Sequence, residues 1–195
     1  GENMPFIVAA QGDQLNKFVS EKVDYFSRLD EWDDYQRLVR KEGVPLQWHP
    51  AAIERVFYQT NGHPYYTNLL CAEILRGAAA ARDTDITEDE VDAAVCKVAA
   101  QLDTNVFAHF WKDGISGDRD QAEVVALKRC KVLVGIGRLL RKATRIGVQE
   151  IAGASSDLLL DSTEISPLLN DFLRRGVLVE SGGNVSFAIP LFAEW

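Results

Sequence analysis

Apolar residues recur at three- and four-residue spacing in one segment of this chain after another, and only its two ends depart from that rhythm. Residues 14–29 put Leu15, Phe18, Val19, Val23 and Phe26 on one helical face. Trp32, Tyr35, Leu38 and Val39 do the same over 32–41, where Gly43 and Pro45 end the run. Pro50 opens a helix carrying Ile53, Val56 and Phe57 that stops at Gly62. Pro64 opens the next, with Leu69, Leu70, Ile74 and Leu75, ending at Arg76 or Ala81. Thr87-Glu88-Asp89-Glu90 reads as a capping box, with Ile86 and Val91 at the positions of a hydrophobic staple. Ala94, Val95, Val98 and Leu102 continue that face, and Phe107, Phe110 and Trp111 predict a further short helix.

After the polar, glycine-bearing stretch 114–118 the pattern predicts a long helix from Gln121 to Thr144, with Gly135 and Gly137 as candidate breaks. A short helix over 147–154 follows, then a third that Asp161 or Ser162 caps and that carries Ile165, Leu168, Leu169, Phe172 and Leu173. Val177–Glu180 and Val185–Ile189 are β-prone runs joined by Ser181-Gly182-Gly183-Asn184, which predicts a hairpin. Three helices and a hairpin is the order of a winged helix, and Pro190–Trp195 begins another helix.

At the other end, Pro5-Phe6-Ile7-Val8-Ala9-Ala10 is a continuous apolar run of the kind that forms a buried parallel strand. A lone strand of that type cannot bury itself, which points to a piece of a larger α/β protein. The alternative is that Phe6-Ile7-Val8 runs as irregular chain onto the helical core. The expected architecture is mainly α: a strand remnant over 1–13, a helical lid-like bundle over 14–113, and a winged-helix domain with a small β-hairpin over 120–195.

Charge sharpens that division. The net charge is −8 over 195 residues, but residues 1–119 carry 12 Lys/Arg against 20 Asp/Glu, whereas 120–195 carry nine of each. Neither part is a basic nucleic-acid surface. Cys71, Cys96 and Cys130 show no ligand spacing and read as buried free thiols in a reducing compartment. His49, His63 and His109 have no ligand partners at helical spacing, so a metal site is not expected. No apolar run reaches the roughly 20 residues of a membrane helix, and Gly1-Glu2-Asn3-Met4 has no basic signal region. A cytoplasmic protein with no membrane partner is the expectation.

The candidate chemistry lies in Gln59-Thr60-Asn61-Gly62-His63-Pro64-Tyr65-Tyr66-Thr67-Asn68-Leu69-Leu70-Cys71. It holds a helix stop, a turn and a helix start. The fresh helix N-terminus would favour an anion or a hydrogen-bond acceptor. Read without any function, it is a helical corner. Phe57, Tyr58, Tyr65 and Tyr66 flank it, either as core or as rings for a base to stack on. Lys128, Lys131, Arg138, Lys142 and Arg145 share one face of the long helix, with Arg129 and Arg141 beside it. They form either a solvated face or a phosphate contact. The third helix of a DNA-reading winged helix would lie in the major groove. Here it sets Glu164 and Asp171 against Arg174 and Arg175, and the wing tip has no basic residue.

"QTNGHPYYTNLLC" resembles the "TGGHPY…LL" signature in the helical lid of STAND-type P-loop ATPases, relatives of AAA+ proteins. "RRGVLVESGGNVSFAIPLFAEW" resembles the hairpin of the winged helix that follows that lid, and "MPFIVAAQGDQL" the last strand of the ATPase core. The resemblance implies that Gly62, His63 and Pro64 lie beside the adenine of ATP or ADP and that Gln11 stands at the γ-phosphate sensor position. It implies a Mg²⁺-nucleotide in the parent protein, the P-loop core of that protein as partner, a homo-oligomer, and a role in signalling or antiviral defence. The chain departs from the pattern in two ways. No G-x-x-x-x-G-K-[ST] occurs in it, so no tight nucleotide binding and no hydrolysis are expected of it alone. No Arg opens the helix at Pro64-Tyr65-Tyr66, which puts phosphate sensing from the lid in doubt. A DNA-binding winged helix and a protein-interaction scaffold are the alternatives.

Overall fold

Helix caps and glycine turns set the element boundaries. The computed structural model describes residues 25–40, 43–115, 118–142, 146–153 and 161–195. The predicted strand 5–10, Gln11 and most of the helix predicted over 14–29 lie outside the described residues, as does Arg145.

The first half is a helical bundle. It comprises α1 (Trp32–Arg40), α2 (Pro50–Thr60), α3 (Pro64–Ala81) and α4 (Glu88–Gln101), then the one-turn helices α5 (Thr104–Phe107) and α6 (His109–Lys112). The capping box forms as expected: Thr87 N donates to Glu90 Oε2 at 2.9 Å and Asp89 N to Thr87 Oγ1 at 3.3 Å. The Thr87 hydroxyl and amide hold the Glu90 carboxyl below the usual range. Ile86 and Val91, the staple pair, are fully buried. Ile86 does a second job that periodicity does not reveal. Strands β1 (Gln47–Trp48) and β2 (Asp85–Ile86) pair in parallel, two residues each, and tie the approach to α2 to the approach to α4. Such a ladder is too short to leave a period-2 signal.

The second half begins with α7 (Arg119–Lys142), which runs without a break through Gly135 and Gly137. Gly135 is buried, a Cβ on Gly137 would meet the Phe187 ring at an ordinary 3.8 Å, and neither glycine ends the helix. Helices α8 (Val148–Gly153) and α9 (Ser162–Arg174) follow. Asp161 caps α9, accepting from Thr163 N at 2.8 Å and donating its own N–H to Glu164 Oε2 at 3.3 Å. Strands β3 (Leu178–Ser181) and β4 (Asn184–Phe187) form the hairpin. Gly182 and Gly183 both take positive φ, 57° and 77°, as a two-residue turn matching the strand twist requires. Val185 N donates to Ile146 O at 2.7 Å and fastens the wing beside the start of α8. The chain closes with α10 (Leu191–Glu194).

The buried cluster is continuous from Tyr35 to Phe192. Its densest part joins α5 and α6 to α10. Phe107, fully buried, packs ring to ring with Phe192 at 4.8 Å and Trp195 at 5.4 Å, and Phe110 with Phe192 at 5.0 Å. Trp195 Nε1 donates to Leu102 O at 3.0 Å. Arg175, at the end of α9, donates to Phe110 O and His109 O at 3.0 and 3.1 Å. No helix among the described residues is long and apolar enough to cross a membrane.

Because the ring of Phe107 touches both halves, Phe107→Ala should cost about 3–5 kcal/mol. Urea denaturation followed by far-UV circular dichroism and by Trp fluorescence should show one coincident transition, shifted to lower denaturant in the variant.

Candidate functional site

The corner between α2 and α3 is made by two consecutive left-handed residues. Asn61 has φ 48° and Gly62 φ 69°. His63 then takes an extended conformation as N-cap, and Pro64 fills the first helical position, where its missing N–H costs nothing. His63 Nδ1 accepts from Tyr65 N at 3.2 Å, and Thr67 N donates to His63 O at 2.9 Å. The first-turn donors that would greet an anion are therefore partly spent. The corner suits an uncharged polar or aromatic group better than a phosphate.

Gly62 is required for a reason beyond its φ. A Cβ there would lie 2.6 Å from Phe26 O and 2.9 Å from the Phe57 ring. Phe26 N also donates to Gly62 O at 3.0 Å. The chain arriving from residue 25 is thus laid directly on the corner. Tyr25, partly exposed, sits with its ring 4.7 Å from that of His63. Tyr65 is exposed beside it, whereas Tyr66 is buried against His63 and Phe107. Of the four flanking aromatics, Phe57 and Tyr66 are core, and Tyr58 and Tyr65 face solvent.

Below the turn lies a buried chain of hydroxyls. Thr67 Oγ1 donates to Tyr35 Oη at 3.3 Å, Tyr35 Oη contacts Thr60 Oγ1 at 3.3 Å, and Thr60 Oγ1 donates to Val56 O at 2.8 Å. All three residues are fully buried. Burial pushes the Tyr35 phenol up to about 12, so it stays protonated and available as a donor. This chain pins α1 to both arms of the corner. The two threonines, seven apart across the turn, were the signal in the sequence; Tyr35 read only as an apolar position. One acceptor nearby is left over: Gln59 Oε1 is buried with no partner among the described residues.

Desolvation, and then the neighbouring His109, lower the pKa of His63. The fold thus brings together two histidines 46 positions apart. Among the described residues no three His, Cys, Asp or Glu side chains cluster as a metal ion would need. Cys71 is buried and its thiol pushed up to about 12, but Cys96 lies exposed, against expectation, because the buried face of α4 runs through Val91, Ala94, Val95 and Val98.

Three of the cations on or beside the basic face of α7 are engaged within the protein, while Lys131, Arg138 and Lys142 are exposed. Lys128 pairs with Glu164 at 2.6 Å and Arg129, buried, with Asp171 at 2.7 Å. Arg141 donates to Glu194 O at 2.8 Å. Asp171 also holds Arg174 at 2.6 Å.

Of the predicted site residues, Gly62, His63 and Pro64 form the corner; Gln11 is outside the described residues. No family model and no curated protein matches the chain. Among solved structures it is similar to the Thermotoga maritima RuvB Holliday junction branch migration motor, with 14% identity and a TM-score of 0.36. That match covers 85% of this chain and 47% of the other, so the chain spans about half the length of that protein.

Gly62→Ala combines a strained φ with a clash against backbone and should destabilise by about 1–3 kcal/mol in a urea titration. His63 takes up a proton more readily unfolded than folded. Its contribution to stability is therefore complete above the ordinary histidine range and is lost as pH falls through it toward the lower folded value. His63→Asn keeps a capping oxygen but removes the titration. Between about pH 7.5 and 5.5 the thermal midpoint of the variant should fall less than that of the native chain.

Proposed function

We propose that this chain is the lid and winged-helix region of a larger STAND-type, AAA+-related P-loop ATPase, and that it relays the nucleotide state of that protein. In this reading the base of ATP or ADP lies against Gly62-His63-Pro64, with Tyr25 and Tyr65 as the exposed rings beside it. The observation that carries it is the hydrogen bond from Phe26 N to Gly62 O, together with the closeness of Phe26 O to the point a Gly62 Cβ would occupy. Whatever moves the incoming chain at residue 25 must move the corner. The hydroxyl chain through Thr60, Thr67 and Tyr35 then passes the change to α1, α2 and α3. Trp195 and Arg175 connect the bundle to the winged helix. A ligand can bias such a unit only by binding two arrangements unequally.

The residues present fit half of a nucleotide site. The turn offers aromatic rings and an uncharged cap to a base, and Gln59 Oε1 is an acceptor awaiting a donor. Phosphates and Mg²⁺ would be held by the core, because no G-x-x-x-x-G-K-[ST] occurs in the sequence. The core of the same protein is thus the first partner, and a signalling or antiviral role follows only from the resemblance of the corner.

The DNA-binding alternative is disfavoured by the fate of its cations. Arg175 is turned inward onto two carbonyls, and Arg174 and Lys128 are paired with carboxylates. Few free cations remain on α9, the third helix of the winged-helix order, to supply affinity.

The test has two parts. The native protein isolated from its source should have an intact mass well above 21.7 kDa and carry a P-loop upstream. A native start at Met4 would sink the reading. In the native protein, Tyr65→Ala should weaken ADP binding by roughly five- to tenfold, measured by calorimetry, with the thermal midpoint of the free protein unchanged. Gly62→Ala is unsuitable for this purpose, since it damages the fold itself.

A further inference from the structure

Helix α7 turns an apolar seam toward solvent. Its exposed face passes through Asp120, Val124, Leu127, Lys131, Val134 and Arg138, at alternating steps of four and three residues. That is the spacing of a coiled-coil seam. Val124, Leu127 and Val134 are 55%, 58% and 38% exposed, and they sit in the middle of a 24-residue helix. A helix face left to water would carry polar residues there. Beside the C-terminal half of the seam lies a groove of about 310 Å³, lined by Leu133, Gly137, Phe187 and Phe192 with the exposed Arg138 and Arg141. The net charge along the seam is polarised: Asp120 and Glu123 outnumber Arg119 near the start, where Arg119 and Glu123 pair at 3.3 Å, and Lys131, Arg138 and Arg141 lie toward the end.

We propose that this seam is a self-association surface on which a second copy of the chain docks its own α7 antiparallel. A parallel pair would set Lys131 on Lys131 and Arg138 on Arg138. The antiparallel pair removes that repulsion. In the register that places Val124 against Val134 of the second copy, Leu127 meets the aliphatic stem of Lys131, and Asp120 meets Arg138. Two-fold symmetry makes every one of these contacts twice. The same register carries Glu123 of the second copy to the groove, beside Arg138 and Arg141. Lys128 flanks the seam but is already neutralised by Glu164, 2.6 Å away. The surface lies on α7, away from the Gly62 corner, and does not depend on the nucleotide reading.

Sedimentation equilibrium of the 195-residue chain from about 5 to about 200 μM is the test. The weight-average mass should climb from 21.7 kDa toward twice that value. Leu127→Glu should raise the dimer dissociation constant about tenfold or more. Asp120→Arg alone and Arg138→Asp alone should each do the same, and the double variant should return to within about threefold of the native value, because exchanging both partners restores the pair. All three positions are exposed, so far-UV circular dichroism should be unchanged. A chain that stays monomeric throughout, a Leu127→Glu variant that dimerises like the native chain, or a double variant that fails to recover would each overturn the proposal.

Discussion

The two halves of this molecule are held together by rings and guanidinium groups that share one buried space. Phe107 and Phe110, on helices of a single turn, have too few residues of their own to stay helical alone. They are ordered because Phe192 and Trp195, more than 80 residues later, close over them. Arg175 adds direction to this apolar contact by donating to the carbonyls of His109 and Phe110, the first two residues of α6. With the rings removed, α5, α6 and α10 would each have no reason to form. The hydrogen bond from Trp195 to Leu102 would lose its partner geometry as well.

A second dependence runs through the corner. A turn made of two left-handed residues is costly unless its surroundings over-determine it. Here three buried hydroxyls bind the helices on either side to α1, and the chain from Phe26 is pressed onto Gly62. The absent Cβ serves that packing. Gly62 is a contact point between the incoming chain at Phe26 and a helix start. His63 completes the unit by capping α3 with its own ring, and its neutral form is the one burial favours.

The cations of the second half illustrate how formal charge and available charge differ. Nine Lys/Arg in residues 120–195 look like a surface resource. Several are instead cross-braces, with Asp171 serving Arg129, Arg174 and Arg175 at once. What α7 leaves exposed includes an apolar line of Val124, Leu127 and Val134, interrupted by Lys131.

Local chemistry determined most of the elements. The capping boxes at Thr87 and Asp161, the Gly-Gly hairpin turn and the Asn61-Gly62-His63-Pro64 corner were legible because each depends on residues within four positions of one another. The glycines of α7 suggested a break, but the helix runs unbroken from Arg119 to Lys142. The two-residue parallel ladder, the hydroxyl chain from Tyr35 and the inward turn of Arg175 join positions 25 to 66 residues apart. A sequence states what each residue can do locally; which distant partner it meets is settled only when the core closes and the unpaired donors inside it must be satisfied.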